Sequence, residues 1–451
     1  MTQLKQLRRY GIFNAKVPRY TSYPPANHFT DQVGPADQAE WLRAIPDGTS
    51  VSLYVHIPFC KRLCWFCACR TQGTSTLRPV EAYIETLLKE IDLVRANLSG
   101  RVSLSRLHLG GGTPTILTPD LMARLLDKVF GAFDVGPAFE FSVEIDPTEA
   151  SKALLDTLLA YGMNRASIGV QDFAPRVQQA IGRLQSFDQT SDVVQHLRSD
   201  KLDSLNMDLL YGLPYQTEES LSISLQEVLS LQPDRLALYG YAHVPWMSKR
   251  QVLIDESALP GPEARFALSE LAQILLTLDG FEQIGFDHFA RSGDGLSKAK
   301  ASGRLHRNFQ GYTDDAAEVL IGLGASAISK FPQGYSQNQP GTAKYQAAVE
   351  AETLAGSRGH SLSDADRWIA SAIEQLMCGF AIDIKQLHAK FPAFVPMISE
   401  TLAQLAGAFP DGVDLGDDRL SVKAGFEPLV RILAGQLDVF QTTQTAHSSA
   451  I

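Results

Sequence analysis

The sequence has few cysteines, few positive charges and no long apolar run. Its 451 residues carry a formal charge of −10, which argues against nucleic acid or an anionic membrane surface as the main partner. No stretch approaches the 18 uncharged apolar residues that suggest a membrane span, and the first residues lack the apolar core of a secretory signal. We therefore expect a cytoplasmic protein with no nucleic-acid and no membrane partner.

Four of the five cysteines lie within ten positions, in the stretch CKRLCWFCACR. The spacing is Cys60-x3-Cys64-x2-Cys67, and Cys69 follows one residue later. Cytoplasmic thiols stay reduced, so closely spaced cysteines indicate a metal site or a catalytic group rather than disulfides. Iron–sulfur clusters are held by thiolates at such short spacings. Three thiolates on a four-iron cluster would leave one iron open to a ligand, although spacing alone does not decide which three cysteines bind.

Two other interpretations of the cysteines are open at this point. A structural zinc site needs four ligands, and His56 could complete three cysteines, but the sequence has no second cysteine pair. A redox Cys-x-x-Cys would leave two neighbouring thiols unexplained.

Short strand-like runs alternate with helical patterns over the first 242 residues, which predicts six βα units and a parallel sheet. The runs are 52–57, 106–110, 139–145, 165–170, 204–212 and 235–242. Polar or glycine residues end these runs, namely His56, Gly110–Gly112, Glu144, Gln171, Asp208 and His243. Active sites of parallel barrels lie at the carboxyl ends of the strands. The pattern thus favours a barrel-like α/β fold with one shared site.

Composition divides the chain into three parts. Residues 1–50 form a proline- and tyrosine-punctuated N-terminal extension, residues 51–339 carry the βα units, and residues 340–451 look mainly helical. Cys378 lies in an apolar helical run of this last part, so we expect it to be buried core.

Several stretches resemble the radical S-adenosylmethionine (SAM) superfamily and, within it, the oxygen-independent coproporphyrinogen III oxidases of haem biosynthesis. They are PRYTSYP, SLYVHIPFCKRLCWFCAC, HLGGGTPT, EIDP, GVQDF, MDLLYGLP, YAHVP, LHRNFQGYT and GASAIS, and they extend from Arg19 to Ser329. The resemblance implies a partial (β/α)6 radical-SAM-type barrel with an N-terminal extension and a C-terminal mainly helical domain.

The resemblance also implies cofactors and site residues. The matching iron ligands are Cys60, Cys64 and Cys67, which would hold a [4Fe–4S] cluster with one open iron, while Cys69 and Glu144 are the catalytic candidates. Two SAM sites are implied. Positions matching the first are Tyr54, Gly111, Glu144 and Ile328. Positions matching the second are Phe66, Gly112, Thr113, Gln171, Arg183, Asp208 and Ala242. We expect His56 and His243 to be structural.

The implied reaction converts two propionates of coproporphyrinogen III to vinyl groups, giving protoporphyrinogen IX through a 5′-deoxyadenosyl radical. An unactivated C–H is not acidic enough for a side-chain base, so the cofactor must supply this chemistry. The resemblance further implies a low-potential electron donor of the flavodoxin or ferredoxin type and a monomer. The tetra-anionic substrate needs cationic partners, for which the candidates are Arg19, Arg304, His306 and Arg307.

One segment departs from the family pattern, and one alternative function remains. The tail PLVRILAGQLDVF keeps Arg431 and Asp438, but Leu437 stands where phenylalanine is expected and no methionine lies between them. No catalytic role is therefore assigned to the tail. The alternative is a related haem chaperone, a branch that usually lacks the fourth cysteine and the PRYTSYP segment, both of which are present here.

Overall fold

The computed structural model describes residues 3–199 and 202–441, which fold around a mixed sheet. The strands are β1 (Ser50–Ile57), β2 (Phe59–Cys60), β3 (Gln72–Gly73), β4 (Ser103–Gly111), β5 (Asp134–Ile145), β6 (Arg165–Gln171), β7 (Ser204–Tyr211), β8 (Arg235–Gly240), β9 (Phe281–Ile284), β10 (His288–Arg291), β11 (His306–Asn308), β12 (Gly311–Thr313), β13 (Val319–Leu323), β14 (Ile328–Phe331), β15 (Gly334–Asn338), β16 (Gly356–Ser361), β17 (Ala381–Asp383), β18 (Val413–Leu415) and β19 (Arg419–Val422). The helices are α1 (Gln3–Arg9), α2 (Pro35–Arg43), α3 (Arg78–Asn97), α4 (Pro119–Ala132), α5 (Lys152–Ala160), α6 (Pro175–Ala180), α7 (Phe187–Arg198), α8 (Glu218–Ser230), α9 (Pro262–Leu278), α10 (Gly295–Ala301), α11 (Thr342–Glu350), α12 (Asp364–Gly379), α13 (Ile384–Lys390), α14 (Val395–Ala408) and α15 (Val430–Leu437).

The six strands predicted from the sequence form the parallel centre of the main sheet, in the order β1-β4-β5-β6-β7-β8. A seventh parallel strand, β13, pairs with the other edge of β1. Antiparallel strands extend both sides, with β14, β15 and β16 beyond β13 and β10 and β9 beyond β8. The sheet is open and no closed barrel forms among the described residues, so the predicted α/β fold with a partial barrel is confirmed.

Helices connect the parallel strands, as βα crossovers require. Several begin at serine or threonine N-caps, which satisfy backbone donors of the first turn. Thr118 accepts from the backbone N–H of Leu121 at the start of α4, and Ser151 caps α5 in the same way. Ser186 and Gln189 form a reciprocal capping box at the start of α7. Within the described residues, none of the helices is both long and apolar enough to cross a bilayer.

The part after residue 340 contains helices α11 to α15 and a small antiparallel sheet in the order β17-β19-β18. Cys378 lies in α12 and is buried. The main sheet continues past residue 340, because β16 pairs with β15. The division into residues 1–50, 51–339 and 340–451 therefore stays a prediction, with one strand of the last part belonging to the main sheet.

Candidate active site

The cysteine loop follows β1 and lies over the carboxyl ends of the parallel strands. Cys60, Cys64, Cys67 and Cys69 all line one cavity of about 370 Å³. The loop is fixed by backbone hydrogen bonds to other elements, one of which runs from the N–H of Trp65 to the carbonyl of Ile181 at 2.9 Å. A hydrogen bond from the N–H of Thr74 to the carbonyl of Cys60, at 3.0 Å, closes the loop on itself.

Positive charge faces the thiols. Arg183 is buried, its Nη1 donates to Asp146 at 2.9 Å, and the same nitrogen lies 3.6 Å from the Cys64 sulfur. A neighbouring guanidinium stabilises the thiolate form that metal ligation requires. The backbone N–H of Cys69 points at the Cys67 sulfur at 3.4 Å, which is the kind of N–H to sulfur contact that tunes iron–sulfur centres.

These residues fit an iron–sulfur cluster better than a single metal ion. Within the described residues, no three histidine, cysteine or acidic side chains converge closely enough to hold one ion. A structural zinc site needs four ligands about 2.0–2.3 Å from one centre. Three thiols spread along the wall of a common cavity suit a larger polynuclear group.

Glu144, at the end of β5, is the carboxylate nearest to the glycine strip. Its Oε2 accepts from the backbone N–H of Gly111 at 3.0 Å, and Oε1 lies 3.3 Å from His108 Nε2. Burial opposes ionisation of Glu144, but the hydrogen bond and charge of His108 and the Gly111 N–H outweigh it and lower the pKa. The side chain is 42% exposed, toward the cavity, so an ionised carboxylate faces the space where a ligand would lie.

The glycine strip after β4 packs directly on the cysteine loop. The N–H of Gly112 donates to the carbonyl of Ile57 at 2.8 Å, and the N–H of Thr113 donates to that of Phe59 at 2.9 Å. A Cβ at Gly112 would lie 2.7 Å from the Phe59 oxygen, and Gly111 has φ +114°. Both positions therefore require glycine for close backbone approach.

Two further predicted residues lie on β6 and β7. Gln171 ends β6, whereas Asp208 lies inside β7 and not at the strand end where it was expected. Gln171 has φ +70°, an uncommon conformation for a residue other than glycine. The two carboxylate oxygens of Asp208 accept from Asn206 Nδ2 at 2.8 Å and from Ser167 Oγ at 3.3 Å. Burial, with the charge of Glu144, raises the pKa of Asp208 above its usual value. Both side chains line the cavity.

Most of the predicted site residues share this cavity, and three do not line it. The twelve that line it are Cys60, Cys64, Phe66, Cys67, Cys69, Gly111, Gly112, Thr113, Glu144, Gln171, Arg183 and Asp208. Tyr54 lies behind the wall, where its hydroxyl contacts His56 Nδ1 at 3.0 Å and its ring stacks on His108. Ala242 presents its carbonyl to Gln251, and Ile328 lies in β14.

The two histidines set aside as structural have protein partners. His56 is buried, with Nε2 3.2 Å from the carbonyl of Arg70. His243 ends the sixth run but is held by Tyr241 and by Glu256, at 2.9 Å each, away from the cavity. A strand-end position is thus a good but imperfect indicator of the shared site.

A deeper polar layer of the cavity was missed. Its members are Arg106 and His108 on β4, Glu140 and Ser142 on β5, Arg165 and Ser167 on β6, Asn206 on β7, and Tyr239, His288 and Tyr312 beyond. Ion pairs cross the strands, as Arg165 Nη1 lies 3.1 Å from Glu140 Oε1. The signal was a two-residue alternation of polar side chains inside the strands, which places them on one face. Buried parallel strands normally read as continuous apolar runs.

Comparison with known proteins identifies the family. The model of the radical SAM superfamily matches residues 54–228. The oxygen-independent coproporphyrinogen III oxidase of Paracoccus denitrificans (strain Pd 1222) is 50% identical over 451 residues, covering 100% of both chains. The Escherichia coli (strain K12) protein of the same name is 37% identical over 430 residues, 95% of this chain and 94% of its own.

A solved structure supports the same assignment. That of coproporphyrinogen III oxidase from Escherichia coli, described as a radical SAM enzyme, superposes with a TM-score of 0.89 at 35% identity and covers 95% of this chain and 100% of its own. The resemblance seen in the motifs is confirmed, and with it a need for a [4Fe–4S] cluster and SAM. The chain belongs to the oxygen-independent coproporphyrinogen III oxidase family of the radical SAM superfamily.

Proposed function

We propose that this protein carries out the anaerobic oxidative decarboxylation of two propionates of coproporphyrinogen III to vinyl groups, giving protoporphyrinogen IX for haem biosynthesis. Full-length identity of 50% to a relative of that name supports the activity. The observation that carries the proposal within the molecule is the convergence of the cysteine loop and Glu144 on one cavity.

The cluster ligands are Cys60, Cys64 and Cys67 in this proposal, and Cys69 stays unligated. When bound, the cluster and SAM supply the 5′-deoxyadenosyl radical that removes a hydrogen atom from the propionate. The chain contributes a fixed loop and the guanidinium of Arg183, which offsets negative charge on the thiolates. The remainder of the cavity wall shields the reacting atoms from solvent.

The first SAM position lies beside the glycine strip in this proposal. Ionised Glu144 is suited to accept a hydrogen bond from the ammonium group of a SAM molecule. Gly111 has no side chain, so the ligand can approach its backbone closely. Tyr54 would act by holding the ring of His108 next to Glu144, and Ile328 would act from outside the cavity wall.

The second SAM position uses other residues of the same cavity. Asp208 would accept hydrogen bonds from ribose hydroxyls, and Gln171, Gly112 and Thr113 line the cavity with it. Arg183 already donates to Asp146, to the carbonyl of Gly169 and to Gln185, so it would share its guanidinium with a ligand carboxylate. Phe66 lies in the apolar cluster next to the cysteine loop, and Ala242 would act through its backbone.

A second cavity of about 410 Å³ adjoins the first and supports a place for the tetrapyrrole. The two share Phe309, Thr313 and Asp315. Of the cationic candidates, His306 and Arg307 line the second cavity. Arg307 is buried 3.5 Å from Asp287, and its Nε and Nη1 have no hydrogen-bond partner among the described residues. It is therefore the best placed candidate for a propionate.

The other two cations are less suitable. Arg304 is exposed and its Nε donates to Ser302 at 3.0 Å. Arg19 donates to the carbonyl of Gly240 at 2.6 Å, lies over the ring of Tyr239 and lines neither cavity. An Arg307→Ala variant should raise the KM for coproporphyrinogen with iron content retained, whereas Arg304→Ala should leave the KM unchanged.

The decisive experiment is an anaerobic assay of reconstituted protein with dithionite, SAM and coproporphyrinogen III. We expect 5′-deoxyadenosine and the vinyl product to appear together. Stable stoichiometric haem binding without turnover would favour the chaperone alternative instead. The proposal also includes a monomeric enzyme that receives electrons from a flavodoxin- or ferredoxin-like donor.

A further inference from the structure

An exposed apolar patch lies next to the cysteine loop. We call it the loop-side patch and define it by Trp246, Met247, Val252 and Leu253, whose side chains are 54%, 69%, 70% and 57% exposed. Four large apolar residues exposed within eight positions are unusual on a monomeric surface, where such patches mark interaction sites.

The segment that carries the loop-side patch is hydrogen-bonded to the cysteine loop. Gln251, fully buried within the same segment, donates from Nε2 to the carbonyl of Phe66 at 2.7 Å. Ser248 Oγ donates to the carbonyl of Cys67 at 2.9 Å. Ile254, which ends the segment, belongs to the buried apolar cluster against which Phe66 packs. A protein seated on the patch would therefore touch the segment that directly supports two consecutive residues of the metal-binding loop.

The two sequence segments that contain the cysteine loop and the patch are cationic although the chain is acidic. Residues 56–80 and 241–254 contain no aspartate or glutamate, in a chain whose formal charge is −10. Their cations are Lys61, Arg62, Arg70, Arg78, Lys249 and Arg250. A further ammonium, that of Lys16, lies 5.8 Å from the Trp246 ring.

Some of this charge is neutralised locally and some is left for a partner. Lys61 pairs with Glu149 at 2.6 Å, and Arg62 pairs with Asp146 at 3.9 Å. In the described part of the chain, no carboxylate lies within ion-pair distance of Lys249 or Arg70, and both side chains are exposed. The acidic residues beyond the patch begin at Asp255, and the next of them, Glu256, is bonded to His243.

We propose that the loop-side patch docks an acidic, one-electron carrier protein that reduces the iron–sulfur centre, an inference that rests on the proposed function. The carrier loses one electron and the centre gains one, so no further reactant is needed. Electron-transfer complexes have small interfaces, and oppositely charged surfaces speed their encounter. An apolar centre rimmed by unpaired cations, one loop away from the metal site, meets both requirements.

The test measures binding of an acidic flavodoxin to the reconstituted holoenzyme by calorimetry at several salt concentrations. Lys249→Glu and Trp246→Ala are the test variants, since both side chains are exposed. Lys298→Glu is the matched control, because Lys298 is also an exposed lysine. It lies on α10, next to the amino-terminal end of β8, whereas the patch follows the carboxyl-terminal end of β8.

We expect Lys249→Glu to raise the Kd about tenfold at low ionic strength, and the difference to vanish near 1 M salt, where the Debye length is about 3 Å. Trp246→Ala should raise the Kd at every salt concentration, and Lys298→Glu should leave it unchanged. Turnover driven by dithionite should be equal in all four proteins.

The outcomes separate the two proposals. If dithionite yields no vinyl product with the unmodified enzyme, the proposed function fails. If dithionite supports turnover but both patch variants bind flavodoxin like the unmodified enzyme, the docking inference is wrong. Sedimentation showing a dimer that Trp246→Ala dissociates would also overturn it, because the patch would then seat a second copy of the chain.

Discussion

The buried carboxylate of Glu90 gives a sharp prediction about pH. Glu90 lies on α3 and is 1% exposed. It accepts from Tyr345 Oη at 2.7 Å, from Asn338 Nδ2 at 2.6 Å and from the backbone N–H of Gly324 at 2.7 Å. Tyr83 also belongs to this group of buried polar contacts, because its hydroxyl accepts a hydrogen bond from the N–H of Ala325 at 2.9 Å. Glu90 thus holds the loop between β13 and β14.

Burial raises the pKa of Glu90 from 4.5 to about 7, against the three hydrogen bonds that lower it. The folded state therefore keeps its proton where the unfolded state has lost it. The contribution of Glu90 to stability is therefore fully present below pH 4.5 and is lost as pH rises from 4.5 to about 7. At about 1.4 kcal/mol for each pH unit, the total loss is about 3 kcal/mol. The facing tyrosines, Tyr83 and Tyr345, have pKa values well above 10 and do not titrate in this window.

The assay is urea unfolding of the unmodified protein and of Glu90→Gln between pH 5 and 8. The glutamine variant has no proton to lose here, so its stability relative to the unmodified protein should increase by about 2.5 kcal/mol between pH 5 and pH 8, because part of the total loss has occurred below pH 5. Glu81→Gln, at an exposed position in the first turn of the same helix, should show no such increase. Parallel pH profiles for the Glu90→Gln variant and the unmodified protein would refute the reasoning.

Three further predictions concern the cavity. Cys64→Ala should abolish iron and sulfide binding after reconstitution, whereas Cys69→Ala should retain both but lose vinyl product; equal iron content in the two would contradict the ligand assignment. Glu144→Gln should weaken SAM binding about tenfold or more, the worth of a charge-assisted hydrogen bond, with iron retained, as equilibrium dialysis would show. Gly112→Ala should destabilise the cysteine loop, since its Cβ would lie 2.7 Å from the Phe59 oxygen, and limited proteolysis should detect faster cleavage there.

The parallel strands could be predicted because their apolar runs are separated by long amphipathic helices. The antiparallel extension could not. β15 has the sequence GYSQN, and every residue in it is buried. Two of its polar side chains are bonded to residues on other elements, Asn338 to Glu90 and Gln337 to Arg358. A hydrophobic pattern cannot reveal a strand whose burial is paid for by hydrogen bonds.

The turn after β13 was missed for a different reason. Residues 318–329 have the sequence EVLIGLGASAIS, and the chain reverses within this segment, so that β13 and β14 pair antiparallel. Gly324 has φ +96° and Ser326 has φ +64°. A serine with positive φ, in the left-handed region, is uncommon. It therefore does not mark a turn in the sequence in the way that an Asn-Gly pair does.

The C-terminal departure from the family pattern has a physical explanation in the contacts of its neighbours. Arg431 donates from Nε to the carbonyl of Pro18 at 3.1 Å, and Asp438 accepts from Tyr20 Oη at 3.0 Å. Both therefore bind the PRYTSYP segment, and Tyr20 in turn lines the second cavity. Leu437 lies between them in the chain and is buried in the main apolar core. Arg431 and Asp438, near the two ends of α15, thus hold the N-terminal segment that forms part of the wall of the second cavity, and neither of these two contacts involves Leu437.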